Sequence, residues 1–312
     1  MQRVITAVVL VPLVLLAVFK APIWLYALLV AMLAMLCTGE YLDIAAAHHL
    51  KPLRTLTYLA VLAVLGDYYL SVIIRGRHPL NVTGWQMLRD PFVQYELLLV
   101  LVSATPFILL AAAMRSDDLR QALPSAAVSY IAVPYIGITT GFLLFTRTLV
   151  PDGSLAICYL LVVVWSGDIF AYYIGRAVGR NKLAPRISPG KSWEGFAASI
   201  IGSMILGTLM LIYNRPISAK LFEWKVLSGQ SILGGQETPA ANPIWVAILV
   251  TVCVNLAAQL GDLVESMMKR GAELKDSGKL LPGHGGALDR VDALLFASPV
   301  LWYYCSFRLI HF

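Results

Sequence analysis

The residue types able to do chemistry crowd toward the end of the chain, in QLGDLVESMMKRGAELKDSGKLLPGHGGALDRVD from Gln259 to Asp292. Asp262, Glu265, Ser266 and Lys269 recur at i, i+3, i+4 and i+7, which is one face of a helix. Asp289 and Asp292, again i and i+3, open the next apolar run. An acid at the end of an apolar helix is costly unless it faces a polar cavity or an ion. Two such helix ends on one side of a membrane can aim carboxylates into one site. A few carboxylates, completed by water and phosphate oxygens, suit Mg²⁺. Between them, the glycines around His284, Gly285 and Gly286 included, let backbone approach a ligand and can present N–H groups to an anion. Lys269, Arg270, Lys275, Lys279 and Arg290 add positive charge for phosphate oxygens. This combination describes a phosphoryl-type site. Each part also has a purely structural reading: Asp289 as a helix N-cap, Glu265–Lys269 as an ordinary i, i+4 pair, the basic residues as markers of the inner membrane face.

Two further stretches carry polar residues among apolar ones. GRNKLAPRISPGKSWEGF, residues 179–196, suggests a P-loop at Gly190-Lys191-Ser192, but Pro185 stands where that pattern needs a glycine. What remains is a Pro/Gly turn presenting Lys191 as a phosphate contact, with Ser188 or Ser192 able to cap the helix that follows. In VVVWSGDIFAYYIGRAVGR, residues 162–180, Asp168 is an acid inside an apolar run and a functional candidate by position. A buried pair with Arg176 is its structural alternative. Asp67 lies near an end of another run, and we assign it a structural role.

The elements that must hold these residues are apolar helices. Of 312 residues, 59% are hydrophobic and only 13% charged, with mean hydropathy +0.75. That is too little charge to cover a soluble globule, where about a quarter of residues are charged. We expect an all-α integral membrane protein, a polytopic bundle of about nine transmembrane helices with cytoplasmic polar loops. The spans fall near 4–19, 22–38, 55–74, 92–113, 122–145, 154–174, 196–213, 244–262 and 293–310, with kinks at Pro106 and Pro134. The chain reads as a single membrane domain over 1–312, with N-terminal helices in 1–150 and a catalytic half in 151–312. The signal-like N-terminus reads as an uncleaved first span. With nine spans, most of the 24 lysines and arginines share the N-terminal side, which puts loops 175–195 and 263–292 in the cytoplasm. Cys37, Cys158, Cys253 and Cys305 lie in apolar blocks without metal-site spacing, and read as buried small hydrophobes. The net charge of +6 fits anionic lipid and phosphate, and no basic stripe interleaved with aromatics points to nucleic acid.

Over these stretches the chain resembles bacterial-type phosphatidate cytidylyltransferases, also called CDP-diacylglycerol synthases. The family's pattern is met by Ser266, Lys269, Arg270, Lys275, Asp276, Gly278, Pro282, His284, Gly285, Gly286, Asp289, Arg290 and Asp292, with SPGKSWEG and GDIFAYYIGR as two upstream elements. Ala287 departs from the bulkier aliphatic residue usual there. The resemblance implies transfer of CMP from CTP to phosphatidic acid, releasing pyrophosphate. It implies catalytic roles for Asp262, Asp289, Lys275 and His284, and a metal held by Asp262 and Asp289, with Asp276 and Asp292 as further ligands or outer shell. The metal is Mg²⁺, with room for a second cation. Substrate contacts are assigned to Ser188, Lys191, Ser192, Lys269, Arg270, Arg290, Gly285, Gly286 and Asp168. The partners are CTP, phosphatidic acid and bilayer lipid, with a homodimer left open, in a bacterial inner membrane with the site facing the cytoplasm. The alternatives are a CTP-dependent lipid or polyprenol kinase and a membrane transporter.

Overall fold

A computed structural model describes residues 2–77, 91–148, 153–227, 244–278 and 285–310. Its helices are α1 (Gln2–Lys20), α2 (Ile23–Ala47), α3 (Arg54–Arg77), α4 (Pro91–Ala113), α5 (Leu119–Ala132), α6 (Thr139–Thr148), α7 (Ser154–Val178), α8 (Trp193–Ile212), α9 (Asn214–Glu223), α10 (Ile244–Gly271) and α11 (Leu288–Ile310). Among the described residues, six helical runs are long and apolar enough to cross a membrane: Ile23–Ala47, Arg54–Ile73, Leu119–Thr148, Ser154–Val178, Trp193–Ile212 and Ile244–Gly271. Val8–Lys20 and Leu97–Ala113 are shorter apolar helices. Among the described residues the first and fourth expected spans fall on these two shorter helices, and the ninth falls on α11. Leucines such as Leu13, Leu16, Leu28 and Leu99 point outward, as a lipid-facing surface requires.

Three local features set up the site. Leu119–Thr148 is one run interrupted by a π-helical turn, Val133–Ile138, that contains Pro134. A proline has no N–H to close the α ladder, so the widened turn absorbs the mismatch. Between α7 and α8 the polar stretch forms a two-stranded antiparallel hairpin, β1 (Lys182–Ala184) with β2 (Ser188–Ser192). This strand pair departs from the all-helical expectation; Pro185 and Pro189 bar a helix there, and the hairpin pairs the backbone instead. Ser192 then caps α8, its Oγ accepting from the Gly195 amide at 3.1 Å, while Glu194 accepts from the Asn181 side chain at 3.0 Å. Third, α7 and α8 approach at glycines: a Cβ on Gly195 would lie 3.0 Å from the Ala171 carbonyl oxygen and 3.2 Å from the Gly175 Cα.

One apolar core runs through α1–α3, α6, α7, α10 and α11, with Tyr68, Tyr159, Leu160, Leu295 and Leu301 fully enclosed. Cys37 and Cys305 are buried and Cys158 half-buried, but Cys253 is exposed on α10, an outward position for which an apolar thiol serves as well as for a core. Asp67 is buried in α3. Basic residues far from the motif gather elsewhere: Lys20 donates to the Lys225 carbonyl, and Arg147 Nε donates to the Val18 carbonyl at 2.7 Å.

Candidate active site

The hairpin, α7, α8 and α10 enclose a cavity of about 670 Å³. Asp168, Tyr172 and Arg176 line it from α7, Lys182, Ser188, Lys191 and Ser192 from the hairpin, Gly195 and Ser199 from α8, and Gln259 and Asp262 from α10. Lys191 forms an ion pair with Asp262 at 2.6 Å, and Asp262 also accepts from Ser266 at 3.3 Å. Both members of the ion pair keep about a third of their surface, 27% and 37%, so an incoming anion or cation can still reach them. Arg176 donates to the Tyr172 hydroxyl at 3.0 Å rather than pairing with Asp168. A buried amide ladder forms part of the cavity wall: Gln259 donates to Asn255 at 2.7 Å, and Asn255 donates to Ser199 at 3.0 Å. A Cβ on Gly167 would strike both Asn255 and Ser199, which is why α7 carries glycine beside Asp168.

The carboxylates converge because α10 and α11 touch closely. Gly261 packs on the Asp292 carbonyl, where any Cβ would collide, so Asp262 and Asp292 stand at the same helix crossing. Asp292 is buried and accepts from the Ala293 amide at 2.7 Å. Asp168 lines the same cavity as Lys191 and Asp262. Among the described residues, no three His, Cys, Asp or Glu side chains form a ready-made metal cage.

Asp289 occupies a different place. Lys269 sits buried between Glu265 and Asp289, ion-paired to both. The other Asp289 oxygen accepts from the amides of Ser277 at 2.9 Å and Gly286 at 2.7 Å. Asp289 therefore ties the motif loop to α11, close to the capping role that its position also allowed. Gly285 has φ +78, a left-handed conformation that glycine adopts at no steric cost. Arg270 donates to the Leu274 carbonyl at 3.1 Å; Lys275, Asp276 and Arg290 are exposed. His284 and Lys279 lie outside the described residues.

Sequence reasoning passed over Glu40, on α2. Its carboxylate accepts from Ser277 Oγ and from the amides of Ala287 and Leu288, each at 2.8 Å. The signal was available, since an acid inside the mostly apolar stretch AMLCTGEYLDIAAA is anomalous in the way Asp168 is. Lys182 and Arg176 were also unassigned as cavity residues, and their basic charge beside Lys191 was the available cue.

The profile described as "Cytidylyltransferase family" matches residues 1–308. The chain is 35% identical over 252 residues to a phosphatidate cytidylyltransferase of Staphylococcus haemolyticus, covering 81% of this chain and 83% of that protein. It is 32% identical over 285 residues to the phosphatidate cytidylyltransferase of Staphylococcus aureus strain COL, covering 91% and 95%. A Bacillus subtilis phosphatidate cytidylyltransferase is 38% identical over 174 residues, 55% of each chain.

Proposed function

We propose, from the premise that this chain belongs to the cytidylyltransferase family, a division of labour among its residues. The reaction is the transfer of CMP from CTP to phosphatidate. A phosphate oxygen of the lipid bonds to the α-phosphorus of CTP, and the bond from that phosphorus to the bridging oxygen of pyrophosphate breaks. No general base is needed, because a phosphate monoester is largely ionised near neutral pH. The obstacle is repulsion between two anions, which positive charge held in the cavity offsets.

The observation that carries this reading is the cavity that sets Lys191 and Asp262 against each other, with Asp168 in its wall and Asp292 at the helix crossing beside Asp262. Lys191, Lys182 and Arg176 would steady phosphate oxygens, with Ser188 and the exposed Arg290 and Lys275 adding contacts. Asp262 and Asp292 would hold a divalent cation of the Mg²⁺ kind, which takes few carboxylates and leaves other positions to water and phosphates, with Asp168 in the wall of the same cavity as Asp262. When bound, that cation supplies charge neutralisation between the two phosphates. Asp289, engaged by Lys269 and two amides, is less suited to hold it than Asp292, and Asp276 fits an outer position. Lys269 is better read as support than as a phosphate contact. His284 remains a candidate hydrogen-bond donor. We also read the helices as a bundle of about nine spans in a bacterial inner membrane, the site facing the cytoplasm, where the positive-inside bias puts the motif loops.

The test is pyrophosphate release by purified protein in detergent with CTP, phosphatidic acid and Mg²⁺, beside Asp262→Asn and Asp292→Asn variants. We expect lipid-dependent pyrophosphate that falls at least about 100-fold in both variants. CDP in place of pyrophosphate would make the protein a kinase. Full activity in both variants would refute the carboxylate assignment while leaving the reaction intact.

A further inference from the structure

We infer that Glu40 is a positioning residue for the transfer reaction: from α2 it holds the motif loop and the first turn of α11 in register. The inference rests on the site reading above, because it concerns how Asp292 and the loop residues are held.

The first amides of a helix have no partner within it, and α11 begins after Gly286 and Ala287, which offer no side chain to cap them. Glu40 fills that role from a distant helix. One oxygen accepts from the Ala287 amide, the other from the Leu288 amide and Ser277 Oγ, all at 2.8 Å. A carboxylate there also meets the positive end of the helix dipole. Asp289 takes the Ser277 and Gly286 amides. Four backbone donors that could have cradled a phosphate are thus occupied by two carboxylates of the protein itself.

The glycines agree. A Cβ on Gly278 would meet the Glu40 carboxylate, and one on Gly286 would meet both Glu40 and Ser277 Oγ. Gly286 therefore leaves room for Glu40, whatever else it does. The same helix braces the other side of the loop. His48 Nε2 lies 3.0 Å from the Met268 carbonyl, and a Cβ on Gly271 would strike the His48 ring. The described flanks of the segment between α10 and α11 are thus held by Glu40 of α2 and by His48, which follows α2. Asp292 sits one turn inside the helix that Glu40 caps, so its placement opposite Asp262 depends on that cap. Misplacement by about 1 Å can cost up to about 100-fold in rate.

The experiment compares Glu40→Ala, Glu40→Gln and, as a control on the same helix, Asp43→Asn, which removes only an exposed pair with Arg54. Hydrogen exchange is followed by mass spectrometry in the full-length protein, together with kcat and KM for CTP in pyrophosphate release. In Glu40→Ala, peptides covering 275–278 and 285–290 should exchange roughly 10-fold faster, as expected for lost hydrogen bonds, with α7 and α8 unchanged. Its kcat should fall about 10- to 100-fold, with KM for CTP within about threefold because the cavity is lined by other elements. Glu40→Gln keeps the shape and one acceptor, so it should fall between; it also carries the test if the alanine variant does not fold. Asp43→Asn should match wild type. Wild-type exchange in both peptides would overturn the clamp. Faster local exchange with undiminished kcat would overturn the positioning role, as would exchange raised equally across every helix. If wild-type protein releases no pyrophosphate, the reaction reading fails, and the exchange data alone decide whether Glu40 holds the loop.

Discussion

Replacing Lys269 by methionine probes the buried charge cluster on which the motif loop rests. Lys269 is 9% exposed and Glu265 0%, and both Glu265 and Asp289 pair with the one ammonium. Removing one partner of a buried ion pair costs about 3–5 kcal/mol, because the remaining charge stays buried without compensation. Here two carboxylates lose the same cation, although Asp289 keeps its amides from Ser277 and Gly286. At about 2–4 °C per kcal/mol for a large domain, the apparent melting temperature in detergent should fall by roughly 6–20 °C at a fixed scan rate. Glu265→Gln should behave oppositely. It removes one of two competing acids and leaves Lys269 with Asp289, so its melting point should stay within about 3 °C of wild type. Glu265→Met combined with Lys269→Met should recover part of the loss, a coupling that a double-mutant cycle reads directly. The reasoning is refuted if Lys269→Met melts with wild type, or if Glu265→Gln is the more damaging change.

Ser192→Ala removes the cap of α8 at a 4% exposed hydroxyl and should cost about 1 kcal/mol of stability, seen as a melting shift of a few degrees. Lys191→Met separates charge from support: it should raise KM for CTP at least about 10-fold, while leaving the melting temperature nearly unchanged because its partner Asp262 stays partly exposed. Gly195→Ala should force α7 and α8 apart at the Gly175 contact, lowering stability by about 1–3 kcal/mol as overpacking does and reducing activity through the cavity between them. Asp289→Asn should lower activity together with protection of the 285–290 amides, whereas Asp292→Asn should lower activity with those amides still protected; hydrogen exchange distinguishes the two.

Much of this protein was legible along the chain, because hydropathy and spacing are local properties. Runs of apolar residues long enough for a bilayer fixed the helices and their approximate limits, and the i, i+3 spacing of Asp289 and Asp292 and the run Asp262–Lys269 marked the candidate site. Spacing on one helix cannot say which neighbour each face meets. Asp262 and Glu265 share a face in sequence, yet one meets Lys191 across the cavity and the other is buried against Lys269. Lys269 reads as a phosphate contact or an i, i+4 partner of Glu265 until α11 is packed against α10, when it becomes the centre of an ion cluster. The glycines around His284 suggested a phosphate cradle, but the amides of Gly286, Ala287 and Leu288 had partners already, in Asp289 and in Glu40. The β1–β2 hairpin was invisible to an apolar-periodicity reading because its residues are polar and few. Local pattern decided which residues carry charge into the membrane. Which charges stay available for substrate, and which are consumed in holding the loop, followed only from helix packing, since an ion pair or a cap between distant segments exists only once the chain has brought them together.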